Sequence, residues 1–165
     1  MVKSVYTFDL KSNAERRAGS SPAPGKFKHM NIFITASKQF YPIVAEVKEK
    51  LEIMGHTTTP PNGYDHPEAE DQTKNLSQKE YQEWKGNMIR TDGKIVATHD
   101  AILVLNFEKN GIQNYIGGAT FLEIFKAFEL EKKIYLYNPI PEGMLNDELI
   151  GMNPQIIYGD LTLVG

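Results

Sequence analysis

The 165-residue chain contains no cysteine, which excludes disulfides, thiolate metal sites and a cysteine nucleophile together. It has no apolar run near the roughly 18–20 residues that a membrane-spanning helix needs. It also lacks the continuous apolar opening of a signal peptide. These absences predict a cytoplasmic protein. The glycine pair in "YIGGAT" fits neither the GxGxxG dinucleotide fingerprint nor the Walker lysine pattern. No nicotinamide or ATP site is indicated, and no cofactor is expected. His29, His56, His66 and His99 lack metal-ligand spacing, so no metal site is expected either. No nucleophile elbow suggests a Ser-His-Asp triad.

Positive charge is scarce over most of the chain. Residues 1–29 hold six Lys/Arg against Asp9 and Glu15, so the net charge of −3 splits into +4 there and −7 over the remainder. A body this acidic is a poor binder of nucleic acid, which needs its phosphates neutralised. Residues 11–29 are rich in Ser, Pro, Gly and charge, with too little apolar surface to offset the entropy of ordering. The sequence therefore predicts a flexible basic leader over 1–29, upstream of or foreign to the domain proper, and a single domain over 30–165.

From Met30 on, short apolar runs alternate with helical patterns. "NIFITA" (31–36), "HTTTP" (56–60), "AILVLNF" (101–107), "KIYLYN" (133–138) and "PQIIYGD" (154–160) read as strands. Between them, 39–55, 77–92, 118–132 and 143–151 read as helices. Ser77 and Glu80 are spaced as a capping box, and Gly86 or Gly93 is a candidate break. Trp84 is expected to pack that helix on the sheet, and 61–75 to be a polar loop. Continuous apolar strands with helical crossovers predict an α/β three-layer sandwich. Its sheet is expected to be doubly wound, mainly parallel and five-stranded, in the flavodoxin-like order 2-1-3-4-5.

Ligands in such a sheet bind beyond the carboxyl ends of the strands, where the strand order reverses. Two loops, 35–41 and 108–120, converge there and feed helix N-termini that favour anions. Ser37 can hold a phosphate by hydrogen bonding and Lys38 by charge, though a lysine at a loop end is also at home in solvent. Tyr64 and Tyr115 could stack on a base. Gly117 and Gly118 either permit close approach of a ligand or simply turn the chain. Glu123 jars between Leu122 and Ile124. Thr120 and Glu123 have capping-box spacing, so Glu123 either caps its helix or does chemistry.

The succession "MNIFITAS", "ATHDAILVLN" and "GGATFLEIFKAFELEKKIYL" resembles the nucleoside 2-deoxyribosyltransferase-like superfamily over most of 30–138, and within it an uncharacterised branch. The family's Gly-Thr-x-x-Glu-x-x-x-Ala helix start is matched by Ala119, Thr120, Glu123 and Ala127. The resemblance implies N-glycosidic cleavage or deoxyribosyl transfer on a nucleoside or nucleotide, with Glu123 as nucleophile. It also implies a homo-oligomer in which a neighbouring chain completes the pocket. Asp92 lies eight residues before Asp100, as the family's sugar- or base-contacting acid precedes the Asp that introduces the third strand. It is implied as the assisting acid, against the plainer reading of an exposed loop residue in "TDG". Asp100 is read as structural. Ser37, Lys38, Tyr115, Gly117, Gly118 and Thr120 are the implied substrate contacts. Where transferases carry Asp-Ser-Gly-Thr, this chain has Gly117-Gly118-Ala119-Thr120, without the leading acid. Two rival readings are a non-catalytic nucleotide-binding module that uses the same pocket and an interaction protein working through its basic leader.

Overall fold

The computed structural model describes residues 28–165, and the expectation of a leader over 1–29 falls almost wholly outside them. Five strands form one sheet: β1 Asn31–Ala36, β2 Thr57–Thr59, β3 Ala101–Leu105, β4 Lys133–Leu136 and β5 Gln155–Ile156. Every pairing is parallel, in the order β2-β1-β3-β4-β5. This is the predicted flavodoxin-like topology. The outer strands are shorter than the segments expected to form them, β2 having three residues and β5 two.

Strand alternation assigns each side chain to a layer. Ile32, Ile34, Leu103, Leu105 and Tyr135 point to one face, where helix α1 (Tyr41–Ile53) and the C-terminal turn with Leu161 and Val164 cover them. Phe33, Ile102, Val104 and Leu136 point to the other. That face is covered by α3 (Gln78–Ala97), α4 (Gly118–Glu129) and α5 (Asn146–Met152) through Val96, Ile124, Ala127 and Leu149. By the same period of two, Thr35 follows Phe33 onto the α4 face.

Helix ends obey local chemistry. Pro42 lies in the first turn of α1, where its missing N–H costs nothing. Gly55, at φ +94°, ends it in a Schellman turn, its N–H bonding Glu52 and that of His56 bonding Leu51. Ser77 and Glu80 form the predicted capping box: the Ser77 hydroxyl accepts from the Glu80 N–H, and the Glu80 carboxylate accepts from the Ser77 N–H at 2.8 Å. Ser77→Ala should cost about 1 kcal/mol in urea unfolding, and Ser77→Thr much less.

Three expectations are corrected. Neither Gly86 nor Gly93 breaks α3, which runs unbroken to Ala97. Its cap and its packing on α4 outweigh the roughly 1 kcal/mol that each interior glycine costs. The polar loop contains a four-residue helix, α2 (Ala69–Gln72), and a 3₁₀ turn. Trp84 is only half-buried and lies against Tyr81 of its own helix, ring centroids 5.9 Å apart, and belongs to neither core cluster. No helix among the described residues is long and apolar enough to cross a membrane.

Candidate functional site

The strand order reverses between β1 and β3, and the residues of interest gather at the carboxyl edge of those two strands. Helix α4 buries Thr120, Glu123, Ile124 and Ala127, the i, i+3, i+4, i+7 stripe that faces the sheet. Glu123 is thus carried inward by the periodicity of its helix, and only 8% of it is exposed. The residue that caps α4 is Gly117, which places Thr120 at the third helical position and Glu123 in the second turn. Thr120 and Glu123 therefore close no capping box, and the capping reading of Glu123 is set aside. The carboxylate instead accepts a hydrogen bond from the hydroxyl of Thr35 on β1.

Burial pushes the Glu123 carboxyl up to about 8; the Thr35 hydroxyl works against that rise, Asp92 adds to it, and Lys85 opposes it. Asp92 is not in a loop but on the unbroken α3, so its loop reading is corrected too. Its carboxyl is raised above the ordinary value, first by burial, with the Asn62 amide and the Lys85 charge offsetting part of the rise. The Oδ1 atom of Asp92 is buried without a hydrogen-bond partner. A buried carboxylate oxygen left unmatched is costly, and it marks a place where a donor or a proton is wanted. Tyr41, the first residue of α1, completes the group. Its phenol is pushed up to about 12 by burial, then by Glu123, Glu70 and Asp92.

Asp92 and Glu123 both line a groove of about 510 Å³ between α3 and α4. Its walls are apolar, from Ile89, Ala97, Leu122 and Phe125, and Arg90 and Lys94 also line it. Such a site, apolar with a few convergent polar groups of shifted pKa, suits a small organic ligand.

Of the two loops, only Ala119 lines that groove, and Ser37 and Tyr115 are brought together elsewhere, through Lys109. Lys109 donates to the Ser37 hydroxyl at 2.8 Å and lies 4.8 Å above the ring of Tyr115. Lys38 is paired with Asp71 at 3.1 Å, which directs its charge toward α2. Gly117 caps α4, and a Cβ there would sit 3.2 Å from the Tyr115 hydroxyl, so glycine permits that approach. At Gly118 a Cβ would meet open space. Thr120 is buried on α4. Tyr64 packs on Tyr41 in a tilted pair, ring centroids 5.6 Å apart, rather than standing free for a base. Asp100 is structural as expected: its Oδ2 accepts from the Asn31 N–H at 2.8 Å and fixes the start of β1.

Thr35, Tyr41, Asn62 and Lys109 were not singled out in the sequence. Thr35 alone left a signal, being the one polar residue within the run 32–36. Among the described residues, no group of three or more His, Asp or Glu is arranged to hold a metal ion.

No family model matches the sequence, and no curated protein matches it. Among solved structures, the chain is similar to a 2-deoxyribosyltransferase from the psychrotolerant bacterium Bacillus psychrosaccharolyticus, at 19% identity, over 69% of this chain and 76% of that chain, with a TM-score of 0.48.

Proposed function

We propose that this protein cleaves or transfers the N-glycosidic bond of a nucleoside or nucleotide, with Glu123 as nucleophile and Asp92 as the assisting acid. The observation that carries this reading is the pairing itself: a buried Glu123, gripped by Thr35, shares an apolar groove with an Asp whose Oδ1 has no partner. A cap or a surface carboxylate has no use for such a setting.

An ionised Glu123 oxygen bonds to the anomeric carbon as the C–N bond breaks, and the bonding pair leaves with the base nitrogen. Protonated Asp92 supplies the proton that nitrogen needs. The glycosyl ester is then opened by water or by a second base, whose proton returns to Asp92. The apolar walls strengthen the attraction between the carboxylate and the developing oxocarbenium charge.

Burial, which pushes the Glu123 carboxyl up to about 8, keeps a proton on it at neutral pH. Passage of that proton to Asp92 yields the productive form with no net uptake or release. The same protonated Glu123 favours a second reading, a non-catalytic nucleotide sensor in which it grips a ribose hydroxyl. Base release from a panel of nucleosides and 5′-monophosphates, followed by chromatography for the wild type and Glu123→Ala, separates the two. Release by the wild type alone supports the enzyme. Binding without release from any substrate supports the sensor.

The reading includes a homo-oligomer. Leu122, Phe125 and Phe128 stand exposed along α4, and large apolar side chains left in a row on one helix invite a partner. Phe125→Glu should then lower the mass found by light scattering, and an unchanged mass would speak against association through α4.

A further inference from the structure

We infer that Thr35 is the positioning residue of Glu123, its β1 hydroxyl fixing the rotamer in which the carboxylate attacks. The inference rests on the reading of Glu123 as nucleophile and goes beyond it, since it assigns a role to a residue that does no chemistry itself.

The geometry comes directly from the strand. Alternation sends Phe33 and Thr35 to the face that α4 covers, and Thr35 pairs in register with Val104 beside the point where the strand order reverses. Thr35 is 2% exposed, and its hydroxyl donates to Oε2 of Glu123, 88 residues along the chain. A β-branched side chain in a strand has few rotamers, so the donor is fixed before any ligand arrives. An O–H aimed at an ionised oxygen is a charge-assisted bond, stronger than one between neutral groups. It occupies Oε2 and leaves Oε1 as the oxygen free to react.

Other groups act on Glu123 as well. Asp92 and Lys85 act from α3, Tyr41 lies near it at the head of α1, and Arg90, Lys94 and Lys126 line the groove. Among the described residues, the hydrogen bond to the Glu123 side chain comes from Thr35. Asp92 raises the carboxyl, whereas Thr35 lowers it, so the hydroxyl brings the productive form within reach.

Thr35→Val keeps the shape and deletes the donor; Thr35→Ser keeps the donor. Two measurements on the whole protein test the assignment. The first is the ¹³C-carboxyl titration of Glu123, which needs no activity. In Thr35→Val its midpoint should rise by about one pH unit, and Thr35→Ser should restore it. The second is base release against pH: in Thr35→Val the alkaline limb should move up by the same amount while the plateau kcat falls roughly tenfold, with KM little changed. A Val variant that only loses thermal stability, with both midpoints unmoved, would overturn the role of Thr35. If no variant and no wild type released base while the ¹³C midpoint still moved, the positioning bond would stand and the catalytic reading would fall.

Discussion

Glu123→Gln should cut base release by at least about 10³-fold and yet make the protein more stable, increasingly so as the pH rises. The activity loss follows because an amide cannot form the glycosyl ester. The gain in stability follows from where the carboxyl sits. Its ordinary value is 4.5 and its folded value is about 8. The folded state therefore keeps the neutral acid while the unfolded chain is already ionised. Stability held by that neutral form is fully present below 4.5, declines as pH rises, and is gone above about 8. The slope between those limits is about 1.4 kcal/mol per pH unit, so the whole term is on the order of 3–5 kcal/mol. Glutamine keeps the shape, stays neutral at every pH, and still offers an oxygen to Thr35. Asp92 is also raised, but it titrates in both proteins and largely cancels in the difference. Urea unfolding of the two at about pH 5 and about pH 9 reads the effect as a widening gap in midpoint. Parallel pH curves would mean that Glu123 is ionised in the folded protein at neutral pH, and the shared-proton mechanism would have to be given up. A carboxylate that destabilises its own fold is the usual sign of a residue kept for function.

The sheet was legible because its evidence is local and redundant. Short strand-length runs, most of them apolar, alternate with helical patterns, and a parallel sheet is the arrangement that buries such runs on both faces. The register of Phe33 on Ile102 could not be read that way, but its consequence, Thr35 lying on the α4 face, follows once the strand is accepted. Glu123 stands out in the sequence as a charge between Leu122 and Ile124, but its inward turn, which excludes the cap, is seen only in the helix itself. What mates with it was not legible. Thr35 looks like an ordinary β-branched strand residue, and its partner is 88 positions away.

For Asp92 the sequence leaves a loop alternative open because "TDG" looks like a turn. A distant cap at Ser77 and the packing against α4 hold the helix through it. The same limit applied to Lys38 and Lys109. Both are lysines in loops at the carboxyl edge, and composition could not tell which would be paired off by Asp71 and which would reach Ser37. Charges find their partners through the fold, so their roles stay ambiguous until it is known.

Base release should trace a bell against pH, and Asp92→Asn should turn that bell into a rising curve. In the wild type the active species has one proton on the pair. Below the raised value of Asp92 both carboxyls are protonated and no nucleophile exists. Above about 8 both are ionised and no acid remains to protonate the departing base. The two limbs belong to the pair, and neither is the private titration of one residue. Asparagine cannot give the base its proton, so the maximal rate should drop by about 10²–10⁴-fold. The direction of the alkaline limb is more telling than the size of the loss. With no acid left to lose, the residual activity depends only on ionised Glu123. It should climb with pH and level off where Glu123 is fully charged, at a midpoint lowered by removal of the neighbouring Asp92 charge. Substrates whose bases leave without protonation should lose least. An Asn variant whose rate still falls above about pH 8 would locate the acid elsewhere. Tyr41, half-buried beside both carboxylates and holding its proton to about 12, would then be the group to substitute next.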